Sequence, residues 1–339
     1  MSVLKWYESA ASDDHIIISS RVRLARNLKK YPFPTLLSDE AARHLIRDIE
    51  GAVENDGFLR VDLATMPAAE RQCLLENHLI SPEFLGKQGA KGFFTKEDES
   101  VGLMINEEDH LRIQTILPGD NIKESYLTAD RIDNVIENSL EYAFDKEFGY
   151  LTACPTNAGT GMRVSLMFHI PALEMTGHLM HVMNSIAKFG MTVRGLYGEG
   201  SKPLGSIYQI SNQLTIGKSE SEIISILNNT AAKIIEQEET LRDKLFSDQS
   251  LALENRIYRS YGILSYCKKI SAKEAMPMLS DLRLGFNANV LDLPRPKLPV
   301  YQMMMHIQPG NLEKRMGVKG TEIEQDVFRA SYIQGCLKN

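Results

Sequence analysis

Five arginines in this sequence lie on or beside segments that have the character of strands. They are Arg21, Arg23, Arg112, Arg163 and Arg194, and four of them adjoin a loop rich in glycine or carboxylates. A guanidinium is a planar fork that can bind two phosphate oxygens at once, so five converging forks would hold a polyphosphate. The chain contains no G-x-x-x-x-G-K-[ST] phosphate loop, no G-x-G-x-x-G and no H-E-x-x-H. On spacing alone, five separate surface arginines remain the alternative interpretation.

Carboxylates and a cysteine accompany these arginines. Glu107 and Glu108 follow an apolar run of strand length, Glu199 lies between two glycines, and Cys154 precedes a proline at the start of a glycine-containing loop. Charged groups at the ends of strands are frequent in binding and catalytic sites, and a positioned carboxylate can accept a proton. Taken singly, the same residues are also typical of a solvated acidic turn and of a small buried thiol. His110 is equally ambiguous.

The elements that would position these side chains can be predicted from periodicity. Residues 16–24 alternate from Ser20 onward, which places Arg21 and Arg23 on one face of a strand. Further strands are predicted at 101–106, 150–153, 163–169 and 206–211. Helices are predicted at about 38–53, 130–149 and 173–189. Ser219 and Ser271 each begin an N-cap signature, after which helix formers dominate.

The motifs, taken in order, resemble those of the phosphagen (guanidino) kinases. The matching segments are 19–23 (SSRVR), 106–112 (NEEDHLR), 154–161 (CPTNAGTG), and 194–195 (RG) together with 210–212 (ISN). The resemblance covers about residues 15–218, the catalytic domain of that family. It implies an α+β fold in which helices flank an antiparallel sheet. The helical N-terminal domain of creatine and arginine kinases has no counterpart before residue 15.

A second set of segments resembles one branch of that family, the bacterial protein-arginine kinases. These are 78–82 (HLISP), 194–200 (RGLYGEG) and 258–262 (YRSYG), followed by a helical C-terminal region. The resemblance implies transfer of a phosphoryl group from ATP, with Mg²⁺, to arginine side chains of proteins. It also implies an activator protein, a Clp unfoldase as a partner, marking of the modified proteins for Clp-type degradation in a stress response, and a homodimer. The alternatives are a kinase for a small guanidino compound and a non-catalytic phosphoarginine-binding adaptor.

The resemblance also implies roles for individual residues. The catalytic group would contain Glu108, Glu107, Glu199 and Cys154. No metal ligands are implied. The nucleotide-binding group would contain Ser19, Ser20, Arg21, Val22, Arg23, His78, Arg112, Arg163, Val164, Ser165, Leu166, Met167, Arg194, Gly195, Leu196, Tyr197, Gly198 and Glu199.

Two positions depart from the patterns of these families. Ala158 stands where a larger aliphatic residue is usual, which removes packing volume without touching the chemistry. The R-D-x-x-R-A motif that binds phosphoarginine and provides allosteric control reads Gln325 to Ala330 here, with Gln325 in place of the first arginine. Asp326 and Arg329 are retained. We therefore expect weak phosphoarginine binding at this place.

Length and composition limit the number of domains and the classes of function. The chain has 339 residues, with 43% hydrophobic and 24% charged residues, which predicts about two folded domains. We expect an N-terminal segment at 1–14, a catalytic domain at 15–218 and a helical domain at 219–339. The net charge of -6 does not favour nucleic-acid binding. Four dispersed cysteines and the lack of an apolar leader or membrane segment predict a cytoplasmic protein.

Overall fold

Eight strands of the computed structural model form one antiparallel sheet, in the order β2-β3-β4-β5-β1-β8-β10-β9. The structure describes residues 4–9, 16–195, 204–288, 292 and 295–338. The strands are β1 (Ile17–Arg26), β2 (Leu59–Val61), β3 (Gly92–Thr95), β4 (Val101–Ile105), β5 (Leu111–Pro118), β6 (Phe144–Asp145), β7 (Gly149–Tyr150), β8 (Met162–His169), β9 (Met191–Gly195) and β10 (Ile207–Asn212). Strands β6 and β7 form a separate hairpin.

Helices cover both faces of this sheet and make up nearly all of the C-terminal region. They are α1 (Asp39–Ala52), α2 (Ala68–Glu76), α3 (Pro82–Gly86), α4 (Ile122–Glu137), α5 (Pro171–Met175), α6 (Leu179–Ala187), α7 (Glu220–Asp248), α8 (Ser250–Tyr266), α9 (Ala272–Asn287), α10 (Val300–His306), α11 (Pro309–Met316) and α12 (Glu322–Leu337). The expected α+β class, with an antiparallel sheet and a helical C-terminal region, is confirmed. Within the described ranges, no helix is both long and apolar enough to span a bilayer.

The alternation predicted for the first strand is present in the sheet. Val22 and Leu24 are fully buried on one face of β1, whereas Arg21 and Arg23 are partly exposed on the other. On the Val22 face, apolar side chains of α1, α4 and α7 complete a large core. The period of two thus separates a packed face from a face that carries guanidinium groups.

A second core covers one end of the arginine-bearing face. Ile116 and Met167, which lie on that face, pack with apolar residues of α8, α9, α10 and α12. The hydroxyl of Tyr301, on α10, contacts Met167 Sδ at 3.4 Å. Among the described residues, nothing covers the other end of the same face, and there it borders a cavity.

A buried carboxylate joins the C-terminal region to the strand region beside this cavity. Glu76, the last residue of α2, accepts hydrogen bonds from the backbone N–H groups of Gly310 and Asn311, both at 2.8 Å, at the first turn of α11. The negative charge thus satisfies free N–H groups at the positive end of that helix. A Cβ on Gly310 would lie 2.8 Å from Gln72, so the two helices approach more closely than a larger residue would permit.

Two predicted helices were wrong in extent. The helix expected at 130–149 is α4, which begins at Ile122 directly after the turn that ends β5, and its chain leaves the helix after Glu137. The backbone N–H of Ala143 instead donates to Asn27 O at 2.7 Å, beside β1. The helix expected at 173–189 is broken into α5 and α6 around Gly177, whose φ of 72° is left-handed. The strand expected at 150–153 is reduced to β7, which ends at Tyr150.

Candidate active site

All five predicted arginines line one cavity of about 690 Å³ on the open end of the sheet face. They come from four strands: Arg21 and Arg23 from β1, Arg112 from β5, Arg163 from β8 and Arg194 from β9. Strand pairing places Arg23 directly opposite Arg163. The interpretation of five separate surface arginines is therefore wrong.

Burial and mutual repulsion perturb these guanidinium groups. Removal from water, and then the charges of Arg163, Arg112 and Arg194, lower the pKa of Arg21 to about 10. Burial, followed by the charges of Arg21, Arg112 and Arg163, holds the pKa of Arg23 well below its usual value. Arg23 Nε is buried and has no hydrogen-bond partner among the described residues. Such a cluster is electrostatically unfavourable alone and favourable around an anion.

The two adjacent glutamates have different environments. The Glu107 carboxylate is buried and is bound by both terminal nitrogens of Arg112, at 2.7 Å and 2.5 Å, and by the Ser81 hydroxyl at 2.5 Å. The backbone N–H of Glu108 also donates to it at 3.2 Å. The Glu108 side chain is 44% exposed, and its Oε2 accepts from Asn157 Nδ2 at 3.3 Å. Of the pair, Glu108 has the carboxylate that an incoming group can reach, and Glu107 holds Arg112 in place.

The cysteine loop, residues 154–161, forms the wall of the cavity nearest Glu108. Cys154, Thr156, Asn157 and Gly161 all line the cavity, and the thiol of Cys154 lies 3.0 Å from the Thr156 hydroxyl. The structure therefore brings Cys154 and Glu108 to the same end of the cavity.

Asp109 ties this loop to the carboxylate pair. Its buried Oδ1 accepts hydrogen bonds at 2.6 Å from both Asn27 Nδ2 and the backbone N–H of Ala153, the residue before Cys154. Burial raises the pKa of the Asp109 carboxyl, and the two hydrogen bonds oppose that rise. Asp109 directly follows Glu108, and Ala153 directly precedes Cys154. The hydrogen bond between Asp109 and Ala153 therefore fixes the distance between the backbone at Glu108 and the backbone at Cys154.

His78 and His110 differ in their relation to the cavity. His78 lines it, and burial together with the charge of Arg21 lowers its pKa to about 3, so its imidazole is neutral at pH 7. His110 is fully buried; its Nδ1 accepts from the backbone N–H of Leu28 at 3.0 Å and its Nε2 lies 2.8 Å from Pro32 O. His110 is therefore a hydrogen-bonded core residue.

The other residues predicted to bind nucleotide follow the strand pattern. Ser19 pairs with Met167 and Arg21 with Ser165 across β1 and β8, so these four share the arginine face. Ser20, Val22, Val164 and Leu166 are buried, and the last three belong to the first core. Gly195 ends β9. Leu196, Tyr197, Gly198 and Glu199 lie outside the described residues.

Sequence reasoning missed several side chains at this site. Gln114, Ser81, Lys87, Asn157 and Gln213 line the cavity. Ser81 lies within the 78–82 motif and Asn157 within the 154–161 motif, which could have singled them out. Lys87 donates to the backbone oxygen of Glu107, a contact that nothing in its local sequence indicates.

The C-terminal motif lies apart from this cavity. Arg329 is buried; its Nε donates to Ile307 O at 3.0 Å, and its Nη1 donates to Ile270 O at 2.9 Å and to Asp326. Gln325 Nε2 donates to Gly320 O at 3.4 Å. Asp326 and Arg329 are thus engaged with each other and with backbone oxygens.

Family models match two consecutive parts of the chain. Residues 42–241 match the "ATP:guanido phosphotransferase, C-terminal catalytic domain", and residues 250–339 match the "Protein-arginine kinase McsB C-terminal domain". Together they cover most of the chain, including α2, the strands from β2 to β10 and the C-terminal helices.

Curated relatives and solved structures agree with these matches. A protein-arginine kinase of Caldanaerobacter subterraneus subsp. tengcongensis is 44% identical, with 95% of this chain and 96% of the relative covered. One of Brevibacillus brevis is 42% identical, with 98% and 95% covered. A duplicated taurocyamine kinase of Schistosoma mansoni, solved with transition-state-analogue components, has a TM-score of 0.62 at 29% identity and covers 67% of this chain and 33% of its own. A lombricine kinase structure has a TM-score of 0.61 at 24% identity, covers 71% and 70%, and supports the fold.

Proposed function

Because the chain belongs to the protein-arginine kinases, a branch of the ATP:guanido phosphotransferases, we propose that it transfers the γ-phosphoryl group of ATP to arginine side chains of proteins. The observation that carries the proposal is the convergence of five arginines, one exposed carboxylate and one cysteine on a single cavity. The arginines are suited to the nucleotide phosphates, and Glu108 and Cys154 to the acceptor. The enzyme class and the fold agree with this reading.

The arginine cluster supports binding of a polyphosphate. Phosphoryl transfer depends mainly on positioning and on neutralising oxygen charge. Arg23 and Arg163 face each other across two paired strands, so an anion between them removes a repulsion while it gains charge-assisted hydrogen bonds. Neutral His78 adds no further positive charge to this cluster.

The acceptor requires a base. The pKa of a guanidinium lies far above neutral pH, so removing its proton at pH 7 costs roughly 7 to 9 kcal/mol. As the new P–N bond forms and the P–O bond to the ADP leaving group breaks, the guanidinium proton passes to the Glu108 carboxylate. Glu199, on the second side by resemblance, would hold the cation by charge, and Cys154 lines the same cavity. Direct transfer requires no covalent intermediate on the protein.

Magnesium fits this site as a companion of the nucleotide. Among the residues that the structure describes, no three His, Cys, Asp or Glu side chains are grouped to hold a metal ion. Mg²⁺ is commonly held by substrate phosphates and water with few protein ligands, which suits such a cavity. When bound, it would neutralise phosphate charge alongside the arginines.

The proposal is tested by incubating the purified protein with ATP, Mg²⁺ and casein, and in parallel with free arginine. Acid-labile phosphate on casein, localised to arginine by mass spectrometry, is the expected result. Phosphorylation of free arginine alone would favour a kinase for small guanidino compounds. Binding of phosphoarginine without any transfer would favour an adaptor.

The finer expectations rest on the resemblance and belong to the same proposal. The modified proteins would be marked for Clp-type degradation during stress, an activator protein would raise activity, and the enzyme would act in the cytoplasm as a homodimer. The proposal includes the division of the chain into an N-terminal segment (1–14), a catalytic domain (15–218) and a helical domain (219–339). The helical domain would contribute regulation. Helix α7 packs on the first core, so its N-terminal half is attached to the sheet.

Asp109 provides a test of the geometry between Glu108 and Cys154. Asp109→Ala removes the acceptor of two buried hydrogen bonds, so we expect kcat to fall roughly 10- to 100-fold, because small displacements of reacting groups have effects of that size. Asp109→Asn keeps one oxygen that can accept both bonds and should retain most activity. The rate of Cys154 alkylation should change in the alanine variant.

Asp281→Ala is the matched control for Asp109→Ala, because Asp281 is also buried and accepts from Ser260 at 2.8 Å, but in the helical region. It should lower the melting temperature without changing Cys154 reactivity. If Asp109→Ala, measured well below its melting temperature, has the same kcat and Cys154 alkylation rate as the wild type, then Asp109 does not position Glu108 relative to Cys154.

The altered C-terminal motif predicts weak phosphoarginine binding. Gln325 offers a neutral hydrogen bond where an arginine would offer a bidentate charged one, a loss of about 1 to 2 kcal/mol and hence roughly five- to thirtyfold in affinity. Calorimetric titration of free phosphoarginine should therefore show tighter binding to Gln325→Arg than to the wild type. Tight wild-type binding that the substitution does not improve would show that Gln325 is not limiting.

A further inference from the structure

The segment 213–216 borders the cavity beside the cysteine loop and exposes two large aliphatic side chains. Gln213 lines the cavity. Leu214 is 52% exposed and Ile216 48% exposed, whereas Thr215 between them is 2% exposed. The alternation directs Thr215 into the protein and its two neighbours outward.

This segment is held firmly. The Thr215 hydroxyl lies 3.0 Å from Thr156 O and 2.5 Å from Ala158 O, both in the cysteine loop. A Cβ on Gly159 would lie 2.8 Å from Ile216 Cα, so the two backbones are in close contact. On the other side, Asn212 Nδ2 donates to Leu214 O at 3.2 Å. The positions of both aliphatic side chains are thus tied to the loop that carries Cys154.

Because their segment is held in place, Leu214 and Ile216 form a preorganised apolar surface. Single exposed aliphatic residues are ordinary on protein surfaces. Leu214 and Ile216 differ because a buried, hydrogen-bonded residue joins them and because their segment continues into the cavity wall. Ordering the segment is already accomplished, so apolar area buried against it would contribute to affinity with little entropic cost on the protein side.

We propose that Leu214 and Ile216 form an apolar lip that binds the residues next to the target arginine in a substrate polypeptide. The inference rests on the proposed function: an arginine whose guanidinium lay between Glu108 and Cys154 would have its chain neighbours beside the cysteine loop, to which this segment is bound through Thr215. The preferred substrate is an extended segment with aliphatic residues beside the arginine. A second copy of the chain is a poorer occupant, because a stable dimer buries about 800 Å² on each partner and two side chains supply far less.

Two peptides of equal length test the lip, one with the arginine between two leucines and the other with it between two serines. The wild type should show a kcat/KM about tenfold higher for the leucine peptide, chiefly through KM. The double variant Leu214→Ser with Ile216→Ser should lose this preference and treat the serine peptide as the wild type does.

Leu127→Ser with Leu251→Ser is the matched control, because these leucines are 48% and 81% exposed on α4 and α8. The control should keep the wild-type preference. A lip variant that retains the preference, or that slows both peptides equally, would overturn the proposal. If the wild type phosphorylates the serine peptide as well as the leucine peptide, the lip is wrong and the kinase activity stands. If it phosphorylates neither peptide nor casein, the proposed function fails and the lip with it.

Discussion

Replacing Glu108 by alanine is expected to lower kcat at least about a hundredfold, the usual contribution of a positioned base, while nucleotide affinity stays nearly unchanged. Glu108 is the exposed member of the carboxylate pair, whereas Glu107 is occupied by Arg112 and Ser81. Glu108→Gln should be similarly slow, because an amide can accept a hydrogen bond but cannot take up the proton. Glu199→Ala should give a similar but milder loss.

The measurement is turnover on casein together with calorimetric titration of the nucleotide. Glu83→Gln is the matched control, since Glu83 lines the same cavity from α3, and it should turn over nearly as the wild type does. Near-normal kcat in Glu108→Ala, or equal losses in both glutamine variants, would refute the assignment of Glu108 as the base.

Substitutions in the arginine cluster should separate stability from binding. Arg163→Lys keeps the charge but loses the fork, so kcat/KM for ATP should fall roughly 10- to 100-fold. Arg23→Met keeps much of the side-chain volume and removes a charge directly opposite Arg163. Without nucleotide, this variant should be more stable than the wild type by about 1 kcal/mol, the size of a cross-strand repulsion.

The direction follows from the lowered pKa values of Arg21 and Arg23. A cation whose pKa is lower in the folded state destabilises that state at pH 7. For Arg21 this cost is lost as the pH rises from about 10 toward the unfolded pKa. Scanning calorimetry with and without nucleotide checks both effects: ATP should raise the melting temperature of the wild type and not of Arg23→Met. Arg60→Lys, on exposed β2, is the control. If single Arg→Lys variants at all five positions bind and turn over ATP normally, the convergent site is wrong.

The sequence predicted which side chains share a face of a strand better than it predicted which strands pair with each other. A period of two places Arg21 and Arg23 together regardless of context, and Val164, Leu166 and Phe168 likewise opposite Arg163. No local signal shows that β1 pairs with β8, about 140 residues later, and only the family resemblance indicated that the arginines converge. The failures were helix ends: Gly177 interrupts one apolar period, and the true start of α4 at Ile122 precedes the predicted one by eight residues.

The roles within the carboxylate pair could not be predicted for a similar reason. Glu107 and Glu108 are the same residue type in adjacent positions, and what distinguishes them is Arg112 and Ser81, which arrive from β5 and the start of α3. The hydrogen bonds that Asp109 accepts likewise involve Asn27, which is 82 residues away in sequence. Such contacts become visible only when the chain is folded.

The central position of β1 has a consequence for the newly made chain. This strand is synthesised before the other strands of the sheet, yet its two neighbours are β5 and β8, so its hydrogen-bonding edges stay unoccupied until residues 111–118 and then 162–169 have left the ribosome. A long apolar strand with unpaired edges can form β-sheet hydrogen bonds with another chain. Arg21 and Arg23 put two like charges on one side of that strand, so copies that meet edge to edge repel each other. The side chains that line the cavity of the folded enzyme therefore also place like charges on the strand whose edges are open during synthesis.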